Sequence, residues 1–430
     1  MDRRSFLASI TAAGGTLLLR RFASAEGLPP ASRPISPIEQ SVAIRTSATW
    51  LLQTLAPERR DRITFAFPKG QTPTAIGFSH LPGRPGGPGD PHRSQHGVAF
   101  DINGHPKPDE GPMGGHGPGG TPPGAPGKGF GFGPPGGPHG GPLAAGEKYG
   151  QAVWTNFPVS NVPRPGLQMG QFTAVERAAV HGLLQTVLSP MGYQKVLDIM
   201  TADQVVADAG ADYAAGLDVY TLALFGLPSA TAPWMLQFGG HHLGLNVTFV
   251  GDKAVCAPLH TGILPARFEA NGRIVRGLGR ENDKAFDLLA TFTPEQLKAA
   301  MIQHDVSDLI FGPGHPNSML SPQGLRGADM TEHQLTMMLS LIGEWTGVLN
   351  NAHAGARLEE IRRSLADTRF AWSGSTTHQP GYNGEAYFRI QGPSVVIEHA
   401  PQGNQGGYQV HVHTIMRDLN NDYGKQLVGA

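Results

Sequence analysis

Two stretches of this 430-residue chain alternate polar and apolar residues with a period of two, the pattern of an extended strand with one buried face. In Tyr408–Asp418 the residues Gln409, His411, His413 and Ile415 point one way, and Val410, Val412 and Met416 point the other. His411 and His413 therefore stand side by side, roughly 6 to 7 Å apart at Cβ, a span that one metal ion can bridge. The spacing equally suits a hydrogen-bonded histidine pair. A second cluster, Gly239-Gly240-His241-His242-Leu243, opens the other stretch. Leu243, Leu245, Val247 and Phe249 make its apolar face, while His242, Gly244, Asn246 and Thr248 line the polar one. In an unbroken strand His242 is then the site residue, and His241 is a core or orienting histidine. A bulge at the two glycines would turn both inward.

Single motifs elsewhere accompany these two. They are Trp154-Thr155-Asn156-Phe157-Pro158, Leu188-Ser189-Pro190-Met191-Gly192-Tyr193, Phe225-Gly226-Leu227-Pro228, Arg389-Ile390-Gln391-Gly392-Pro393, Ile397-Glu398, and Arg417-Asp418 followed by Asn421-Asp422-Tyr423-Gly424. With this set the chain from Ser41 to Gly424 resembles a bacterial family catalogued as domain of unknown function 3500. The resemblance implies no established activity. It does imply a short connection between the first strand and the Trp154 motif, and here this chain departs, with a long insertion.

That insertion, 82–142, is compositionally foreign to the rest. From Gly111 to Pro142, 24 of 32 residues are Gly or Pro, which leaves almost nothing to bury against the entropy of ordering and predicts disorder. Its histidines offer at most weak metal capture. Residues 1–25 read as an address: Arg3-Arg4-Ser5-Phe6-Leu7 fits a twin-arginine signal, an apolar run to Leu19 follows, and Ala23-Ser24-Ala25 offers a cleavage site. The apolar run is too short for a permanent membrane anchor, so a periplasmic or secreted protein delivered by the twin-arginine machinery is expected. Residues 26–40 form a Pro-rich leader, and 41–424 a single domain around the insertion.

The fold class expected is α+β, with a helical N-terminal half packed against antiparallel sheet elements that carry the histidines. Helices are signalled by apolar spacing from Ser41 to Leu55 and by capping boxes at Thr173, Thr293 and Thr331, the last opening a helix expected to reach Asn350. Strands are expected at Phe370–Trp372, Ala386–Ile390 and Val395–His399, with Ala254–Leu259 pairing back on the di-histidine strand. No repeat at a fixed period is visible.

The single Cys256 excludes an intramolecular disulfide framework, thiolate zinc and iron–sulfur sites. Lys and Arg (33) nearly balance Asp and Glu (34), so no nucleic-acid footprint is present. Imidazoles with a carboxylate suit a divalent ion such as Zn, Mn, Fe or Cu. Glu398, a charge in an apolar strand, is the candidate fourth ligand or general base, against a salt bridge to Arg389 or Arg417. Hairpin parity decides whether Glu398 or His399 shares the face of His411 and His413. Arg417 either holds a substrate carboxylate or pairs with Asp418 or Asp422. His260 either approaches the site or is a solvated loop residue. Two function classes follow: a metal-dependent enzyme of hydrolase type acting on a small-molecule substrate, with His242, His411 and His413 as ligands, or a non-catalytic exported metal- or ligand-binding protein.

Overall fold

A computed structural model of the chain describes residues 35–68, 71–72, 147–160, 162–211, 215–302, 306, 308–313, 321–401, 404–405, 408–409 and 411–429. The expected signal peptide, the leader up to residue 34 and the Gly/Pro-rich insertion lie outside them. The principal helices are α1 (Pro37–Thr54), α2 (Pro57–Ile63), α3 (Ala174–Val187), α4 (Pro190–Asp208), α5 (Gly279–Ala290), α6 (Pro294–Ala300), α7 (Glu332–Thr346) and α8 (Asn351–Arg363). The principal strands are β1 (Thr64–Phe65), β2 (Thr221–Phe225), β3 (Trp234–Gly239), β4 (Leu243–Val250), β5 (Leu259–Ile263), β6 (Leu325–Arg326), β7 (Arg369–Gly374), β8 (Ala386–Gln391), β9 (Val396–Pro401) and β10 (Val412–Arg417).

These strands form one sheet in the order β1-β2-β3-β4-β5-β10-β9-β8-β7-β6, so the chain is α+β. Two meanders meet at β5 and β10. Two short strands attach beside this path: Leu167–Gln168 on β2, and Lys253–Cys256 on β4 across the turn at Gly251. Cys256 is buried there, which pushes its thiol up to about 12 and makes it a small core residue. The leader ends earlier than its composition suggests. Ser36 and Glu39 form a capping box, and Pro37 at the first helical position starts α1 four residues ahead of Ser41. The helix expected to run to Asn350 stops at Thr346; Asn350 instead caps α8, its side-chain oxygen accepting from the His353 N–H.

The meanders share an element order that no fixed sequence period reveals. In the first, α1 and α2 lead to β1, which lies parallel to β2. In the second, α5 and α6 lead to Met301, which makes a parallel bridge to Trp372 of β7. Each continues through a Gly-Leu step, Gly166-Leu167 or Gly324-Leu325, with Leu167 paired to Leu222 and Leu325 to Phe370. The two glycines adopt φ of +103° and +101°, and a Cβ on either would run into the carbonyl of Leu222 or Phe370. A 3₁₀ turn and a capping box follow (Thr173 with Glu176, Thr331 with Gln334), then two helices, then four antiparallel strands.

The halves are related by an approximate twofold axis. It passes between Leu259 of β5 and Met416 of β10, which face each other in the antiparallel register; two residues along the same ladder the hydroxyls of Thr261 and Thr414 are 2.6 Å apart. It passes again between Leu188 and Leu349, where the Ser189 N–H donates to the Val348 carbonyl and the Asn350 N–H to the Val187 carbonyl.

Side chains of one sheet face join the main core, where Trp234, Trp345, Trp372, Phe370 and Phe388 are buried among residues of α1, α3, α4, α7 and α8. Burying such a side chain stabilises the fold by about 1.5–3 kcal/mol. The other face packs on Trp154, Tyr149 and the segment Leu309–Phe311, and it carries the polar residues Gln237, Asn246, His260, Glu398, His413 and Arg417. This second face holds His260 and His413.

Candidate metal centre

The first pair of imidazoles sits at the tip of the β3–β4 hairpin. Gly239 pairs with Gly244, and the Gly240 N–H donates to the Leu243 carbonyl at 2.9 Å, which leaves His241 and His242 as the two central turn residues. Strand alternation therefore does not reach them. The expectation that His241 faces away from His242 is corrected: the rings stack, with centroids 4.0 Å and planes 18° apart.

Strand β10 brings the second pair. His413 lies on the face shared by Ile415, and His411 immediately precedes the strand. The Nε2 atoms of His242 and His411 are 3.0 Å apart, and the rings of His411 and His413 are 4.6 Å apart at their centroids. Nitrogens of His241, His242 and His413 lie within 4.8 Å of one another, so this buried triad can hold a metal ion. Gly262 of β5 makes the approach of the two halves possible. A Cβ there would stand 2.9 Å from Cδ2 of both His242 and His413.

Carboxylates orient two of these rings. Asp203 of α4 accepts from His242 Nδ1 at 2.8 Å, and its other oxygen accepts from the Tyr220 hydroxyl at 2.7 Å. Asp308 accepts from His413 Nδ1 at 3.1 Å. An ionised carboxylate only accepts, so each Nδ1 carries the proton and each Nε2 presents a lone pair, the arrangement by which carboxylates fix metal-ligating imidazoles. Asn156, from the Trp154 motif, stands 3.4 Å from the same His413 nitrogen.

The remaining candidates are placed as follows. Cross-strand pairing sets Glu398 opposite Ile415 and Ala400 opposite His413, so Glu398, not His399, shares the histidine face. Its carboxylate, however, is turned to the Ile310 N–H (3.0 Å), the Phe311 N–H (2.7 Å) and the Tyr387 hydroxyl (2.5 Å). Among the described residues, the carboxylates that touch the clustered imidazoles are Asp203 and Asp308. Burial raises the Glu398 carboxyl above its ordinary range, opposed by Arg389, Tyr387 and the two amides. Arg417 is fully buried; it donates to Asp422 (2.7 and 2.9 Å) and to the Phe311 carbonyl, and stacks over Trp154. Of its two readings, the structure shows the aspartate pair.

His260 is a buried residue of β5, not a solvated loop residue, and its ring lies 5.4 Å from that of His413. Burial, and then the neighbouring His413 and His242, hold its imidazole well below the usual histidine range, so it is neutral. Asp203 and Asp308 were not anticipated. Asp203 did leave a signal, since it falls on the buried stripe Val196, Ile199, Met200, Asp203, Val206 of α4, where a carboxylate is out of place without a partner.

A family model described as protein of unknown function (DUF3500) matches residues 146–425 of the chain. No curated protein and no solved structure matches it.

Proposed function

This chain belongs to the DUF3500 family, whose description assigns no chemistry, and we propose from its residues that it is an exported, metal-dependent hydrolase acting on a small molecule. The observation that carries the reading is the pair of buried carboxylate–imidazole contacts, Asp203–His242 and Asp308–His413, which leave Nε2 lone pairs beside further imidazoles. His241, His242, His411 and His413 would hold one divalent cation: zinc, manganese, iron or copper. When bound, such an ion polarises an oxygen and lowers the pKa of a coordinated water, the chemistry a hydrolase needs at neutral pH.

The chain's own residues do the positioning. Tyr220 fixes Asp203, Asp203 and Asp308 hold their rings in one tautomer, and the β3–β4 turn stacks His241 on His242. Burial of the cluster excludes bulk water and strengthens every polar contact within it. Delivery through the twin-arginine pathway, from the Arg3-Arg4 motif, fits a cofactor inserted before export.

Elemental analysis of untagged, folded protein is expected to find a stoichiometric divalent metal that a chelator removes together with hydrolysis of model esters or phosphoesters. Metal at background in every preparation sinks the reading. A non-catalytic metal holder is the second reading, favoured by the near-complete burial of His242, His411 and His413. Cobalt-loaded protein separates the two: a visible spectrum that responds to added azide reports an open ligand position and the enzyme, and an unresponsive one reports a closed site and the holder.

A further inference from the structure

We propose that His260 is a further ligand of this same centre, and that the chain holds one such centre and not two. The inference rests on the metal reading above and adds a residue and a stoichiometry to it. Gly262 pairs with His413, and His260 pairs with Ile415, two residues along β10. Directly opposed antiparallel residues share a face, so His260 and His413 lie on the same side of the sheet.

The surroundings of His260 are those of a ligand held ready. It is fully buried, and its Nδ1–H donates to the Thr414 carbonyl at 3.1 Å, which makes Nε2 the lone-pair nitrogen, as in His242 and His413. That Nε2 is buried and has no hydrogen-bond partner among the described residues. A buried acceptor is rarely left so in a native fold. Its ring and that of His413 meet edge to face at 72°.

The axis also explains why there is one centre. The turn that mirrors Gly240–Leu243 is Gly392–Val395, where the Gly392 N–H likewise donates to the Val395 carbonyl, and its two central residues are Pro393 and Ser394 in place of His241 and His242. On the strands that follow, the mirror of Asn246 is Glu398, which is engaged by the Ile310 and Phe311 amides. The mirror image of the site therefore lacks the paired turn imidazoles.

The test is cobalt binding to untagged, chelator-stripped full chain, with His260→Ala, His260→Gln and His413→Ala measured alongside. Wild type is expected to take one Co²⁺, and both His260 variants to bind at least about ten-fold more weakly with an altered d–d spectrum, as a lost nitrogen ligand requires. If either variant fails to fold, imidazole ¹⁵N shifts of the wild type with and without Zn²⁺ decide: a metal-dependent shift of His260 Nε2 supports the assignment, and its absence overturns it. Wild-type affinity and spectrum in His260→Ala, or two ions per chain, also overturn it. Absence of any binding by wild type instead removes the metal reading beneath it.

Discussion

His399 and His413 stand on adjacent central strands, β9 and β10, on opposite faces of one sheet, and they are used in opposite ways. The His399 ring lies flat on Phe388, with centroids 4.8 Å and planes 9° apart, on the face packed into the main core. Burial drops its pKa to about 4, so it serves as a neutral aromatic slab. On this face even the polar contacts are closed within the core: Trp345 donates to Thr414, whose hydroxyl meets that of Thr261. His413 is buried as deeply, yet it faces Asp308 and three other imidazoles. Burial and residue type are thus common to both. The carboxylate on Nδ1 and the company of other imidazoles distinguish a candidate ligand from a packing element.

The sharpest way to break this contrast is to remove one histidine from each face. His242→Ala or His413→Ala should lower metal affinity by more than about 100-fold, as removal of a ligand does, with the far-ultraviolet circular dichroism retained. His399→Leu should keep wild-type affinity. Equal loss of metal in all three would mean that the two faces are not functionally distinct.

Next in size is the response to pH. The unfolded chain protonates His399 near pH 6.5, whereas the folded chain resists until about 4, so stability falls as pH drops from 6.5 to 4 by about 3 kcal/mol from this residue alone. In chelator-treated protein, denaturant melts across that range should show a profile flatter by this amount in His399→Leu. An unchanged profile would show that the ring is not held neutral by the core.

The orienting carboxylates come third. Asp203→Asn and Asp308→Asn keep the shape but lose the charge, and each should weaken metal binding by roughly 10–100-fold, measured by competition with a chromophoric chelator. Glu398→Gln, whose carboxylate serves the Ile310 and Phe311 amides, should change stability more than affinity. The smallest effect is a pair of glycine changes. Gly262→Ala should reduce affinity, because its Cβ meets both His242 and His413, whereas Gly343→Ala in α7 meets nothing within 4 Å and should raise stability by about 0.5–1 kcal/mol in thermal melts.

Much of the sheet was legible because half-buried strands print their period on the sequence. Leu243 to Phe249 and His411 to Met416 alternate as they pack. The capping boxes at Thr173, Thr293 and Thr331 marked true helix starts. The site was partly legible for the same reason: His413 follows from alternation, and His411 from its place two residues earlier. His241 was misplaced because the rule stops where the strand stops, and a two-residue turn obeys other geometry. The face of Glu398 depended on register between β9 and β10, which is set by tertiary pairing. Helix α8 was hidden because its inward face is thin, with only His353, Ala354 and Ile361 buried. Asp308 had no signal at all, being a loop carboxylate defined by what folds against it. The duplication escaped because the two Gly-Leu steps, alike in backbone, are separated from the strands β1 and Met301 that precede them by segments of very different length.

Since the cluster draws His241, His242 and Asp203 from the first meander and His411, His413 and Asp308 from the second, occupancy by an ion would act as a clasp between them. Any free energy of coordination is then also free energy of association. A chain severed between β5 and α5, with both pieces kept, would hold together more tightly with metal than without. In the intact chain the same coupling would make the seam between β5 and β10 open less often to hydrogen exchange when the ion is in place, far beyond the few side chains that touch it.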